Sequence, residues 1–147
     1  MTNPINPKAA IRRAFLLPTQ ILVRVTTQGF VVADEKVTEL SGRLQQVRLI
    51  RKLFEDGTLV CDSPDGFEAR NGTLCDECRH PRCRPQLRFV LDRGAIHYLL
   101  DINATSARNL IALEDELTAE GLRIEDCPVT LRIVSHGHWP EVRFDRS

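Results

Sequence analysis

The chain has 147 residues, 42% of them hydrophobic, with 20 basic and 20 acidic side chains and no net charge. That is enough apolar content for one ordinary domain with its own core. It excludes a generally basic nucleic-acid coat, and no apolar run is long enough to span a bilayer.

In chain order, residues 1–10 contain Pro4, Pro7 and two Asn, and read as a loose tail. No signal-peptide pattern is present, so a soluble protein of the cytoplasm is expected. Residues 11–147 are expected to form a single domain. Ile21–Thr27 is apolar and β-branched, and reads as a strand with Gly29 as a bend. Residues 31–44 are mixed. Val47–Phe54 is a clearer strand, followed by the turn signal Glu55-Asp56-Gly57. Thr58–Cys61 leads into residues 61–85, which hold four of the five cysteines with Pro64, Pro81, Pro85, Gly66 and Gly72. Such a stretch without a core pattern needs another source of order. Leu87–Leu91, the turn Asp92-Arg93-Gly94 and Ala95–Ile102 read as a hairpin.

One helix follows, capped by Thr105 or Ser106. Leu110, Ile111, Leu113, Leu117 and Leu122 form its apolar stripe, and Gly121 stops it. Val129–Val134 and Glu141–Phe144, around His136-Gly137-His138, close the chain as a second hairpin. Many short strands with one late helix predict a mainly β (α+β) fold, a small β-barrel carrying an insertion at about 61–85.

The cysteines are spaced Cys61-x13-Cys75-x2-Cys78-x4-Cys83. Two thiolates from a tight CxxC turn and one from each side can complete a tetrahedron around zinc, leaving no open position for chemistry. A site in which His80 replaces one cysteine, and disulfides or free thiols, are the alternatives; disulfides are disfavoured because nothing points to secretion. Cys127 stands apart and reads as a small apolar residue.

Charge is unevenly distributed. Residues 1–93 hold 15 basic against 11 acidic side chains, and residues 94–147 hold 5 against 9. Of the 20 basic residues, 17 are Arg, which suits phosphate contacts and base stacking, although a GC-rich gene would favour Arg equally. Arg70, Arg79, Arg82, Arg84 and Arg88 crowd the cysteine zone, either as a cationic finger for a phosphate backbone or as neutralisers of zinc thiolates. Arg24, Arg48, Arg51 and Lys52 add cations on the strands. Arg48 and Lys52 share one strand face and Arg51 takes the other. Phe30, Phe54, Phe67 and Trp139 are candidate stacking platforms, of which Phe67, in a polar loop, and Trp139 are the ones favoured for base contact. His97, His136 and His138 read as ordinary polar residues, and the carboxylates between Glu114 and Asp126 as a solvated face or a protein-contact surface. No phosphate-cradling loop, nucleophile elbow, HExxH or deaminase signature occurs, so no enzyme is expected.

The string Cys61-Asp62-Ser63-Pro64-Asp65-Gly66, then Gly72-Thr73-Leu74-Cys75-Asp76-Glu77-Cys78 and Cys83, resembles zinc-containing OB-fold single-stranded DNA-binding proteins of phages and conjugative elements. The motif covers residues 61–83, and the order of elements matches over about 20–145. The Cys78–Cys83 gap is shorter than in that pattern. The resemblance implies an OB-like barrel, structural zinc and sequence-tolerant binding of single-stranded DNA in replication or recombination. Contacts to replication or recombination proteins are expected through the acidic helix 106–120. The competing expectation is a zinc-stabilised module that regulates or inhibits a host protein.

Overall fold

The computed structural model describes residues 19–147, apart from 79, 81 and 82 and the side chains of Thr19 and Glu77. The expected tail over residues 1–10 lies outside the described residues. Nine strands make the fold mainly β: β1 Thr19–Thr26, β2 Gly29–Val32, β3 Glu35–Val37, β4 Glu39–Glu55, β5 Thr58–Ser63, β6 Arg84–Asp92, β7 Ile96–Ile102, β8 Val129–Ser135 and β9 Pro140–Arg146. Two α-helices, α1 Cys75–Cys78 and α2 Ala104–Ala119, and a 3-10 turn at Ile124–Asp126 complete the described elements. The strands form one open mixed sheet in the order β3-β2-β1-β7-β6-β4-β8-β9, with β5 added to β4. Only β1 and β7 run parallel among the paired strands.

β4 is the organising strand. Its first residues pair with β8, its middle with β6 and its last residues with both β6 and β5. The sequence splits it because two features interrupt its period of two. Gly42 crosses β6 so closely that a Cβ there would stand 2.6 Å from the Asp92 carbonyl oxygen. Gln46 takes a left-handed φ of 54° at a bulge between Gln45 and Arg48. The mixed stretch 31–44 resolves into the end of β2, β3 and the start of β4. The turn signals are correct: Asp56 and Gly57 (φ 50° and 78°) join β4 to β5, and Gly94 (φ 78°) lies between β6 and β7.

Helix α2 begins two or three residues earlier than expected. Asn103, not Thr105 or Ser106, is its cap: its side chain accepts from Ser106 N at 2.9 Å. Ser106 is buried, and its Oγ accepts from Val142 N at 2.8 Å, tying the helix to β9. Leu110, Leu113 and Leu117 enter the core, each burial contributing about 1.5–3 kcal/mol. Ile111 and Leu122 are exposed and do not belong to the stripe. Gly121, at φ 75°, does end the helix, and Leu122 N returns to Leu117 O.

One core collects residues from both ends of the sheet: Val23 and Phe30 from β1 and β2, Leu131, Val142 and Phe144 from β8 and β9. Phe89 meets Phe144 edge to face at 5.9 Å. Cys127 packs against this core, half-buried. Among the described residues, no helix is long and apolar enough to cross a membrane.

Candidate metal centre and nucleic-acid interface

The loop after β5 is folded by its own polar side chains. Ser63 is buried; its Oγ accepts from Gly66 N and donates to Glu68 O at 2.7 Å. Asp65 Oδ1 accepts from Phe67 N at 2.8 Å and Glu68 N at 3.0 Å, and these amide bonds hold the carboxyl below its ordinary range. Gly66, at φ 79°, lies so close to β4 that a Cβ would stand 2.6 Å from two carbons of Leu49. Ser63, Asp65 and Gly66, the residues that carry the family resemblance, therefore act as scaffold. They turn the loop back so that Phe67 O accepts from Cys75 N at 2.8 Å, and α1 then presents Cys75 and Cys78 one turn apart.

The result is convergence. Cys61, Cys75, Cys78 and Cys83 line one cavity of about 200 Å³, together with Arg51 and Leu53. All five cysteines of the chain are free thiols. Burial, then the charges of Cys78, Cys83 and Cys75, push the Cys61 thiol up, so each of these three sulfurs lies within electrostatic reach of Cys61. Among the described residues, no three Cys, His, Asp or Glu side chains stand close enough to grip an ion as they are. Four soft sulfurs have the chemistry of a closed zinc site, and Asp62, the one carboxylate in the wall, is paired with Arg70. His80 is not part of the wall; its Nε2 is 3.6 Å from Glu55 Oε1.

The opposite face of β4 carries the cations. Arg88 donates two hydrogen bonds to Asp101, at 2.7 and 2.9 Å, and Lys52 reaches the same carboxylate. Burial alone would raise the Asp101 carboxyl, but the bonds from Arg88 and Lys52 outweigh it and hold the group low. The register makes this face unusual: Arg48 stands directly opposite Arg88, and Lys52 directly opposite Arg84. Like charges at facing positions of a ladder destabilise it. Arg24, Arg48 and Arg84 are exposed and make no ion pair among the described residues. A groove of about 440 Å³ crosses this face, lined by Leu22, Arg24, Lys52, Phe54, Gln86 and Asp101. Phe54 is 48% exposed, and Gln86 Oε1 is buried without a donor.

The expected residues thus divide. Arg24, Arg48, Lys52, Arg84 and Arg88 gather on the groove face. Arg51 does not join them and lines the cysteine cavity. Arg70 is engaged with Asp62 at 2.7 Å, and Phe67 is 69% exposed on the cysteine loop. Trp139 lies at the β8–β9 hairpin, outside the groove, its ring stacked on His136 at 4.1 Å. Arg79 and Arg82 lie outside the described residues. Phe54, only one of four candidate stackers in the sequence, is the one in the groove; Gln86 carries no sequence signal at all, since an amide in a strand looks like any polar residue.

A polar cluster without a sequence signal joins α2 to β9. Glu141 accepts from Asn109 Nδ2 at 2.9 Å and from Arg143 Nε at 3.2 Å, and meets His136 Nε2 at 2.8 Å. These partners lower its carboxyl from 4.5 to about 2. A depressed carboxyl adds stability above its unfolded value and loses it as pH falls through the folded one. Urea midpoints measured from pH 5 down to pH 2 (about the span of the shift) should fall more steeply for the native chain than for Glu141→Gln; parallel slopes would refute the assignment.

No protein-family model, curated protein or solved structure matches the chain.

Proposed function

We propose that this chain is a non-enzymatic, sequence-tolerant single-stranded DNA-binding protein of a phage or mobile element, acting in replication or recombination. The observation that carries the reading is the groove face, where the cations Arg24, Arg48, Lys52, Arg84 and Arg88 outnumber the carboxylates Asp101 and Asp62 beside an exposed Phe54. Cations opposed in this way lower the stability of the sheet, and a phosphate backbone laid along them offsets the repulsion. A single strand leaves its base faces open for stacking on Phe54, whereas a duplex hides them. The buried Gln86 acceptor would take an N–H from a base edge.

Zinc belongs to the same reading. Cys61, Cys75, Cys78 and Cys83 would hold it, and its contribution is folding energy for a segment with little core of its own. An OB-like barrel is also part of the proposal. It is supported by the core shared between β1–β2 and β8–β9, and by the approach of β2 to β8, both of which require the open sheet to curl. The alternative, a zinc-stabilised interaction module, draws on the exposed carboxylates Glu114, Asp115 and Glu116 along α2.

The test is metal content together with anisotropy titration of labelled oligo-dT, before and after chelation. The expected result is about one zinc per chain and a Kd on the order of micromolar or tighter at low salt, weakening as salt rises. Chelation should abolish the order of the cysteine loop. No binding at low salt would end the DNA reading, and capture of a single host protein by such a chain would select the alternative.

A further inference from the structure

We infer that Arg51 is the positioning residue of the cysteine centre, supplying the counter-charge and an N–H donor to the zinc-bound thiolates. The inference rests on the zinc reading above and deepens it. β4 alternates, so Lys52 faces the groove with Asp101 while Arg51 faces the cavity lined by the four cysteines. Arg51 Nε is buried and has no hydrogen-bond partner. Asp62, the one carboxylate in the same cavity wall, accepts from Arg70 Nε through Oδ2 and makes no hydrogen bond to Arg51 Nε.

A buried guanidinium donor without an acceptor is costly, and such a group persists where a partner completes it. A divalent ion with four thiolates carries a formal charge of about −2, spread over sulfurs that accept N–H bonds. That is the missing partner. Arg suits the task better than Lys because its planar fork can direct several N–H groups and is weakly hydrated. Arg70, near the cysteines in sequence, is paired with Asp62, whereas Arg51 reaches the cavity from the strand beneath.

The test uses the full chain loaded with cobalt(II) or zinc, comparing wild type with Arg51→Leu, Arg51→Lys and, as a control on the same strand, the exposed Arg43→Leu. Competition with a chromophoric chelator should show zinc affinity about 10–100-fold lower in Arg51→Leu, the usual effect of losing a group that orients metal ligands. The thiolate-to-cobalt charge-transfer band should move to lower energy, because sulfurs stripped of a positive N–H donor give up electron density more readily. Arg51→Lys should retain fold and charge with an intermediate shift, and Arg43→Leu should match wild type in zinc affinity and band position. Equal affinity and an unshifted band in both Arg51 variants would overturn the role of Arg51 alone. A wild-type chain without tetrahedral cobalt bands would overturn the zinc reading beneath it.

Discussion

Reversing Arg48 and Arg84 together, as Arg48→Glu with Arg84→Glu, is expected to weaken oligo-dT binding at low salt by about 100-fold or more, since two contacts are lost and two repulsions gained at roughly 1.4 kcal/mol per tenfold. Both side chains are exposed and make no ion pair among the described residues, so nothing in the fold depends on them. Each faces another cation, Arg88 or Lys52, across the β4–β6 ladder. The same double change should therefore leave the melting temperature unchanged or raise it, because two like-charge oppositions become attractive pairs. Opposite signs for binding and stability are the mark of residues kept for a ligand rather than for the fold. Unchanged DNA affinity in a folded variant would remove the groove from consideration.

The second large effect belongs to Gly66→Ala. The new methyl would meet Leu49 at 2.6 Å, and alanine would have to hold φ near 79°. Together the clash and the left-handed backbone cost about 2–4 kcal/mol. The damage would spread to the metal, since the turn at Gly66 returns the chain to Cys75 through Phe67 O. Zinc affinity measured by chelator competition should fall along with the urea midpoint. Gly72→Ala is the matched control: φ is 88°, but a methyl there would meet no atom within 4 Å, so only about 1–2 kcal/mol is at stake. If the two variants behave alike, the contact with Leu49 does not govern the loop.

Much of the element order is legible directly in residue patterns. The Asp-Gly turn at Asp56-Gly57, the hairpin around Gly94 and the Gly121 stop each depend on a backbone conformation that few residues adopt, so they announce themselves locally. The helix start is ambiguous in sequence because Asn103, Thr105 and Ser106 are all competent caps, and only the bond to Ser106 N distinguishes them. The alternation that separates Arg51 from Arg48 and Lys52 is also legible. Its meaning is not, because the cavity on one side and Asp101 on the other come from residues far along the chain. The facing of Arg48 with Arg88 requires the register, and a bulge at Gln46 sets that register without any Gly to mark it. The Glu141 cluster joins a helix to a hairpin 32 residues away, which no local pattern encodes.

The strand β4 also predicts where this chain can change length. Deleting or inserting one residue between Leu49 and Leu53 would exchange the two faces, sending Lys52 toward the cysteines and Arg51 toward the groove. Both surfaces would be lost in one step, although every side chain needed for them would still be present. Length variation should instead collect at the tips near Gly57 and Gly94, where open space surrounds the backbone. A substitution tests one surface at a time, whereas a single-codon deletion in this strand tests whether the two can ever be inherited separately.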